Sequence, residues 1–310
     1  MKNNNKPTLA ISIGDLNGVG VEIALKSHEA ISKLCHPIYC IDETMLTQAA
    51  DLLQFSIPKN MDLTSVSNDF TIEAGCVTQE SGKYSYDSFM QAIKLCENKQ
   101  ADGVVTLPIH KEAWMLAGLE YKGHTDLLRK HFNQEAIMML GCPQMFVALF
   151  TEHIPLKEVA SSLTYEKLKR FLLDLHQSIK KEKIAVLGLN PHAGDNGVLG
   201  NEEEIITAVI NDLNDEFGFE QFVGPVVPDV AFAPYFRKNY NYYVAMYHDQ
   251  GLAPLKALYF DESVNISLNL PIIRTSVDHG TAFDIAYKNQ AETLSYINAI
   301  KSAINFVSDR

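Results

Sequence analysis

A chain of 310 residues, 46% hydrophobic and 21% charged, is long enough for about two domains with a sizeable core. Its formal net charge of -12 argues against a nucleic-acid binder, which needs a basic surface, but leaves room for a small anion held by local cations. Five cysteines without paired spacing, a polar start from Met1 to Lys6 and no long apolar run predict a soluble cytoplasmic protein with reduced thiols and no membrane partner.

Short runs rich in Val, Ile and Leu alternate with helical patterns, which predicts an α/β fold with mostly parallel sheets flanked by helices. Thr8 to Ile13 reads as the first strand, followed by the turn Gly14-Asp15-Leu16-Asn17-Gly18-Val19-Gly20 and a helix from about Val21 to Leu34. The glycine spacing of that turn fits neither a dinucleotide fingerprint nor a Walker loop, so it reads as a tight strand-to-helix connection. Pro37 to Ile41 reads as strand, Thr44 to Leu53 as helix, Tyr84 to Asn98 as an amphipathic helix and Asp102 to Leu107 as strand. Gly123-His124-Thr125-Asp126 precedes a further helix; Thr125 is placed to cap it, setting a hydroxyl and an imidazole at a positive helix end.

Three strand patterns then run into histidines. Phe146 to Phe150 leads to His153, Ile184 to Leu189 leads through Asn190-Pro191 to His192, and Tyr242 to Tyr247 ends in His248. Between them lie helices over Tyr165 to Lys181 and Glu202 to Leu213, the second with an acidic first turn that suits its dipole. Ligands of open α/β sheets bind beyond the carboxyl ends of strands, and three imidazoles leave a metal position open for substrate. The spacing therefore makes His153, His192 and His248 a candidate divalent-metal set, set against three ordinary loop histidines. His28, His36, His131 and His176 read as surface groups. Lys256 and Arg274 are cations able to grip phosphate or carboxylate, and Asn265 lies by a strand end. The polar run Thr275 to Ala286 reads as a functional loop. No linker is visible, so the chain is expected to cross between two domains: 1–120 with 270–310, and 121–269.

Gly123-His124-Thr125-Asp126, Asn190-Pro191-His192-Ala193-Gly194-Asp195, Tyr247-His248-Asp249-Gln250-Gly251 and Arg274 through Ala286 occur together and in order. On these motifs the chain resembles the 4-hydroxythreonine-4-phosphate dehydrogenase family of vitamin B6 biosynthesis over essentially its whole length. The resemblance implies the two-domain fold of isocitrate and isopropylmalate dehydrogenases, with an interdomain cleft and no Rossmann fingerprint. It implies a divalent ion (zinc, magnesium or cobalt) on His153, His192 and His248, and substrate contacts from His124, Thr125, Lys256, Asn265 and Arg274. It implies NAD, with NADP as the alternative, on a loop like the relatives' adenosine-binding loop, drawing on Asp278, His279, Gly280, Thr281, Ala282 and Asp284. A homodimer whose metal ligands come from both subunits is implied too. Asp249 and Lys256 are the catalytic candidates, Asp249 either as proton acceptor or as the group that orients His248. The chain departs from the family at Leu16 and Val21, where prolines are usual, at Leu107-Pro108-Ile109-His110-Lys111, where Gly-Pro-Ile-Asn-Lys is usual, and at Tyr287, where a glycine is usual. The alternatives are a dehydrogenase of a threonate or erythronate 4-phosphate, and a non-redox metal enzyme acting on a phosphorylated substrate.

Overall fold

The computed structural model describes residues 6–66, 69–179 and 182–308. Its contacts divide the chain into two units. The first comprises 1–134, 264–266 and 270–310, and the second 135–263 and 267–269.

The first unit holds β1 (Thr8–Ser12), β2 (His36–Cys40), β3 (Asp62–Thr64), β4 (Gly103–Thr106) and, late in the chain, β11 (Arg274–Val277). They lie in the order β3-β2-β1-β4-β11, and every one of these pairings is parallel. Strands of such a sheet are covered on both faces, which explains why β1 past Thr8 and β4 are buried without alternation. Its longer helices are α1 (Gly20–Ile31), α2 (Glu43–Leu53), α3 (Gln79–Glu97), α4 (Lys111–Leu116) and α5 (His124–Phe132), with the last helix of the chain over Leu294–Ser308. Helix α3 begins five residues before the predicted Tyr84, because the Thr78 hydroxyl accepts the Ser81 N–H at 3.2 Å and caps it there. Within it Gly82 is a contact surface, since a Cβ there would stand 2.1 Å from the Ala113 carbonyl oxygen. The first unit also continues past residue 120 to take in α5, whose His124 packs edge-on against Phe89 and Trp114.

The second unit holds β5 (Ile137–Cys142), β6 (Met145–Leu149), β7 (Ile184–Leu187), β8 (Phe222–Val226) and β9 (Tyr242–Ala245) in the order β5-β6-β9-β7-β8. β5 and β6 form an antiparallel hairpin, and the other pairings are parallel. Its longer helices are α6 (Tyr165–Ser178), α7 (Glu203–Phe217) and α8 (His248–Tyr259). Residues 180 and 181, the end of the helix expected over Tyr165 to Lys181, lie outside the described residues. β10 (Val264–Leu268) carries the chain across the division between units. The core of the second unit is built on Val147, Leu149, Leu187, Tyr243, Ala245 and Leu255.

One expected surface group is not one. His28 is buried on α1 with Nδ1 3.0 Å from the Tyr39 hydroxyl, and burial holds its pKa below the ordinary value. The five cysteines are free, and no described helix is long and apolar enough to cross a membrane.

Candidate active site

In the first unit the strand order reverses at β1 and β4, whose chain neighbours lie on opposite sides. Loops at such a switch point frame the ligand crevice of open α/β sheets. The loop after β1 turns through Gly14 at φ +74, where a Cβ would lie 2.3 Å from the Pro108 carbonyl oxygen. This lets the Asp15 N–H donate to that oxygen at 2.8 Å, tying the first loop to the loop after β4. The Asp15 side chain accepts from the Asn17 N–H and the Ser81 hydroxyl, yet burial dominates and pushes its pKa up to about 6.

A buried cationic cluster lies in the same unit. Arg274 is buried, and its guanidinium donates to Thr106 Oγ1 at 2.8 Å and to Asn265 Oδ1 at 3.3 Å. Its Nη2 is also 3.1 Å from His124 Nδ1. Burial lowers the Arg274 pKa to about 9, so the group keeps its charge at neutral pH. Burial first, then the Arg274 charge, hold His124 well below its ordinary pKa. A neutral imidazole that accepts at Nδ1 carries its proton on Nε2, and Nε2 is buried with no partner among the described residues. A fixed cation beside an unused donor suits an anionic ligand. Thr125 was expected to cap α5; instead Gly123 occupies the cap and Thr125 lies inside the first turn. Its backbone stays at the positive helix end, while its side chain does not close that end. Thr106, which sequence reasoning passed over, fixes Arg274 from within β4.

The loop over Asp278, His279, Gly280, Thr281, Ala282 and Asp284 docks on the first loop through Thr281, whose carbonyl accepts the Val19 N–H at 3.0 Å. Gly280 faces open space, and Ala282 is left-handed at φ 44. Asp278 donates its N–H to Ser295 Oγ, while His279 and Asp284 are exposed. Phe283 stacks on His110 with centroids 4.8 Å apart, so a flat aromatic surface adjoins a segment rich in polar groups. That composition fits a nucleotide. Tyr287 is left-handed at φ 59, a conformation glycine adopts freely, and its hydroxyl donates to the Leu16 carbonyl at 2.7 Å.

In the second unit the three histidines follow three adjacent parallel strands, β6, β9 and β7. His153 and His248 are neighbours, with ring centroids 5.3 Å apart. His248 Nδ1 is 2.7 Å from Asp249 Oδ1, which leaves Nε2 as the nitrogen a metal could take. Imidazoles so presented fit a divalent ion. His192 starts a separate left-handed turn, and no three His, Cys, Asp or Glu side chains among the described residues are grouped closely enough in one chain to hold a metal. His153 and His192 are exposed and His248 half-exposed. Lys256 lies in α8 with Nζ 5.1 Å from the Phe260 ring centre.

The family model described as pyridoxal phosphate biosynthetic protein PdxA matches residues 33–303. A 4-hydroxythreonine-4-phosphate dehydrogenase of Sulfurimonas denitrificans is 68% identical, over 97% of this chain and 98% of that protein. The enzyme of the same name from Campylobacter fetus is 54% identical, over 96% and 97%. The crystal structure of a 4-hydroxythreonine-4-phosphate dehydrogenase from Klebsiella pneumoniae superposes with a TM-score of 0.87 at 30% identity, covering 98% of this chain and 99% of that one. These likenesses join the α/β fold and the ordered motifs to one conclusion: the chain is an oxidoreductase that belongs to the PdxA family of pyridoxal phosphate biosynthesis.

Proposed function

We propose that the enzyme oxidises the C3 hydroxyl of 4-phosphohydroxy-L-threonine with NAD, or NADP in its place, to 2-amino-3-oxo-4-phosphobutanoate. Loss of carbon dioxide then gives 3-amino-1-hydroxyacetone phosphate. The observation that carries this reading is the buried cluster of the first unit, where a guanidinium adjoins Nδ1 of an imidazole whose Nε2 has no partner among the described residues. Relatives with 68% and 54% identity are named for a phosphorylated hydroxy amino acid.

Arg274, His124, Thr125 and Asn265 bind substrate anion and hydroxyl groups, and Lys256 neutralises a further anionic group. A divalent ion (zinc, magnesium or cobalt) on His153, His192 and His248 would acidify the hydroxyl, and a nicotinamide dinucleotide along 278–284 would take the hydride. Asp249 holds His248 in one tautomer, or receives the hydroxyl proton. The ketone formed at C3 then stabilises the electron pair left when the carboxylate departs. We further propose a homodimer. Ile154 and Leu156 beside His153, and Val198 and Leu199 beside His192, are exposed apolar side chains of the kind that a second copy covers.

The test is nicotinamide reduction, followed by absorbance, with 4-phosphohydroxythreonine before and after chelation. Reduction that stops on chelation and resumes with added metal is expected, together with loss of metal and activity in His192→Ala. Faster turnover of erythronate 4-phosphate, or product without reduced nicotinamide, would move the enzyme to one of its alternatives.

A further inference from the structure

The three strands that lead to the histidines are tied together just before the histidines leave the sheet. Beyond β6, buried Thr151 donates its hydroxyl to the Met246 carbonyl at 2.6 Å and its N–H to the same oxygen at 3.3 Å. Met246, beyond β9, donates its own N–H to Gln250 Oε1 at 2.7 Å. The other end of that buried amide, Nε2, donates to the Gly188 carbonyl beyond β7 at 2.7 Å. The chain then turns over a second buried group. Glu203 Oε1 accepts the N–H groups of Leu189 at 2.8 Å and Asn190 at 2.7 Å, and its Oε2 accepts from Asn190 Nδ2 at 2.9 Å.

This belt runs from the strand of His153, through that of His248, to that of His192. Gln250 has little slack within it. A Cβ on the next residue, Gly251, would meet Val147 Cγ1 at 2.4 Å and the Ala245 Cβ at 2.8 Å, so α8 is pressed onto β6 and β9. An amide has its donor and acceptor at a fixed separation, and here it spans two strand ends. Past Asn190, His192, Ala193, Asp195 and Asn196 are left-handed at φ 54, 51, 44 and 56. Such a run persists only where its surroundings over-determine it, and the Glu203 carboxylate anchors its base.

We propose that Gln250 and Glu203 are positioning residues for the metal histidines. Gln250 sets the spacing of the strand ends that lead to His248 and His192, and Glu203 sets the turn from which His192 departs. The inference rests on the three-histidine reading above. Groups that orient metal ligands from behind govern affinity by about 10–100-fold, which gives the expected size of the effect.

The experiment uses the full chain with Gln250→Met, which keeps the shape and removes both hydrogen bonds, and Glu203→Gln, which keeps acceptor oxygen and removes charge. Zinc and cobalt affinities are measured by competition with a chromophoric chelator, alongside the visible spectrum of the cobalt form, inorganic phosphate binding and thermal unfolding. Weaker metal binding by about 10–100-fold and an altered cobalt spectrum, with phosphate binding unchanged, are expected in both variants. If one variant fails to fold, the other carries the test. Parent affinity and spectrum with only a lower melting temperature would overturn the proposal, because a merely fold-stapling network predicts that result. His192→Ala is the control: if it keeps the parent's metal affinity, the three-histidine reading fails and takes this inference with it. If it loses metal while Gln250→Met and Glu203→Gln do not, only the positioning roles fall.

Discussion

Burial keeps Asp15 protonated to a higher pH than a surface carboxyl, with a pKa of about 6 against an ordinary 3.8. Between those values the folded chain holds a proton that the unfolded chain has released, so stability falls as pH rises through that window and levels above it. A shift of this size is worth on the order of 3 kcal/mol. Asp15→Asn removes the ionisation, and its advantage over the parent is expected to grow from pH 4.5 to pH 7.5 in urea unfolding; parallel curves for the two chains would discard the assignment. Some of this is legible in the sequence: His124 and Arg274 stand in ordered motifs and Asn265 beside a strand end, and the three side chains meet in one buried cluster. Thr106 was not, because a threonine in a strand looks like an ordinary β-former. Glu203 was read as a favourable charge at a helix start, although its oxygens serve the preceding turn. Gln250 stands inside the Tyr247 to Gly251 motif, but its partners, Met246 and Gly188, are backbone groups at the ends of different strands, which sequence does not pair.

Among elements, the contact of α3 with α4 leaves little room. The Gly82 Cα faces backbone atoms of Ala113 and Trp114, leaving no flexible side chain to yield. Trp114 Nε1 also donates to Ser85 Oγ at 2.8 Å, one turn along α3, and its ring packs against His124. Gly82→Ala is therefore expected to cost about 1–3 kcal/mol or more, as overpacking does, and to weaken phosphate binding through the displaced His124. Thermal unfolding and a phosphate titration check both; a fully stable variant with parent affinity would show that the helices part freely. Strand patterns were legible because parallel strands are continuously apolar. The hairpin of β5 with β6 is less legible, since Phe146 to Phe150 reads as a strand but its partner Ile137–Cys142 is broken by Gly141, and only Pro143-Gln144 mark the turn.

For the whole molecule, the proposed dimer makes a sharp claim about which histidines act together. His153 and His248 are neighbours within one chain, whereas His192 is not grouped with them. If a site takes His192 from one subunit and the other two from its partner, a mixed dimer of His192→Ala with His248→Ala retains one intact site of two. Random pairing of the two inactive chains is then expected to restore about a quarter of parent activity, while His153→Ala mixed with His248→Ala restores none. Activity returning equally in both mixtures, or in neither, would refute this division of ligands. The fold class was legible from the alternation of strand and helix patterns, but the division of the chain was less so. The α5 segment joins the first unit through His124, and β10 carries the chain over the boundary, details that depend on packing across long stretches of sequence.

Tyr287 changes how much order its loop must gain when a ligand arrives. A glycine at this left-handed position would fold without strain but would leave many conformations open to the free loop. Tyrosine has fewer, and its bond to the Leu16 carbonyl anchors the segment to the first loop in advance. Conformational freedom surrendered before binding is not charged against affinity. The tyrosine thus turns a hinge into a preorganised wall, held by a main-chain carbonyl that any residue at position 16 would offer.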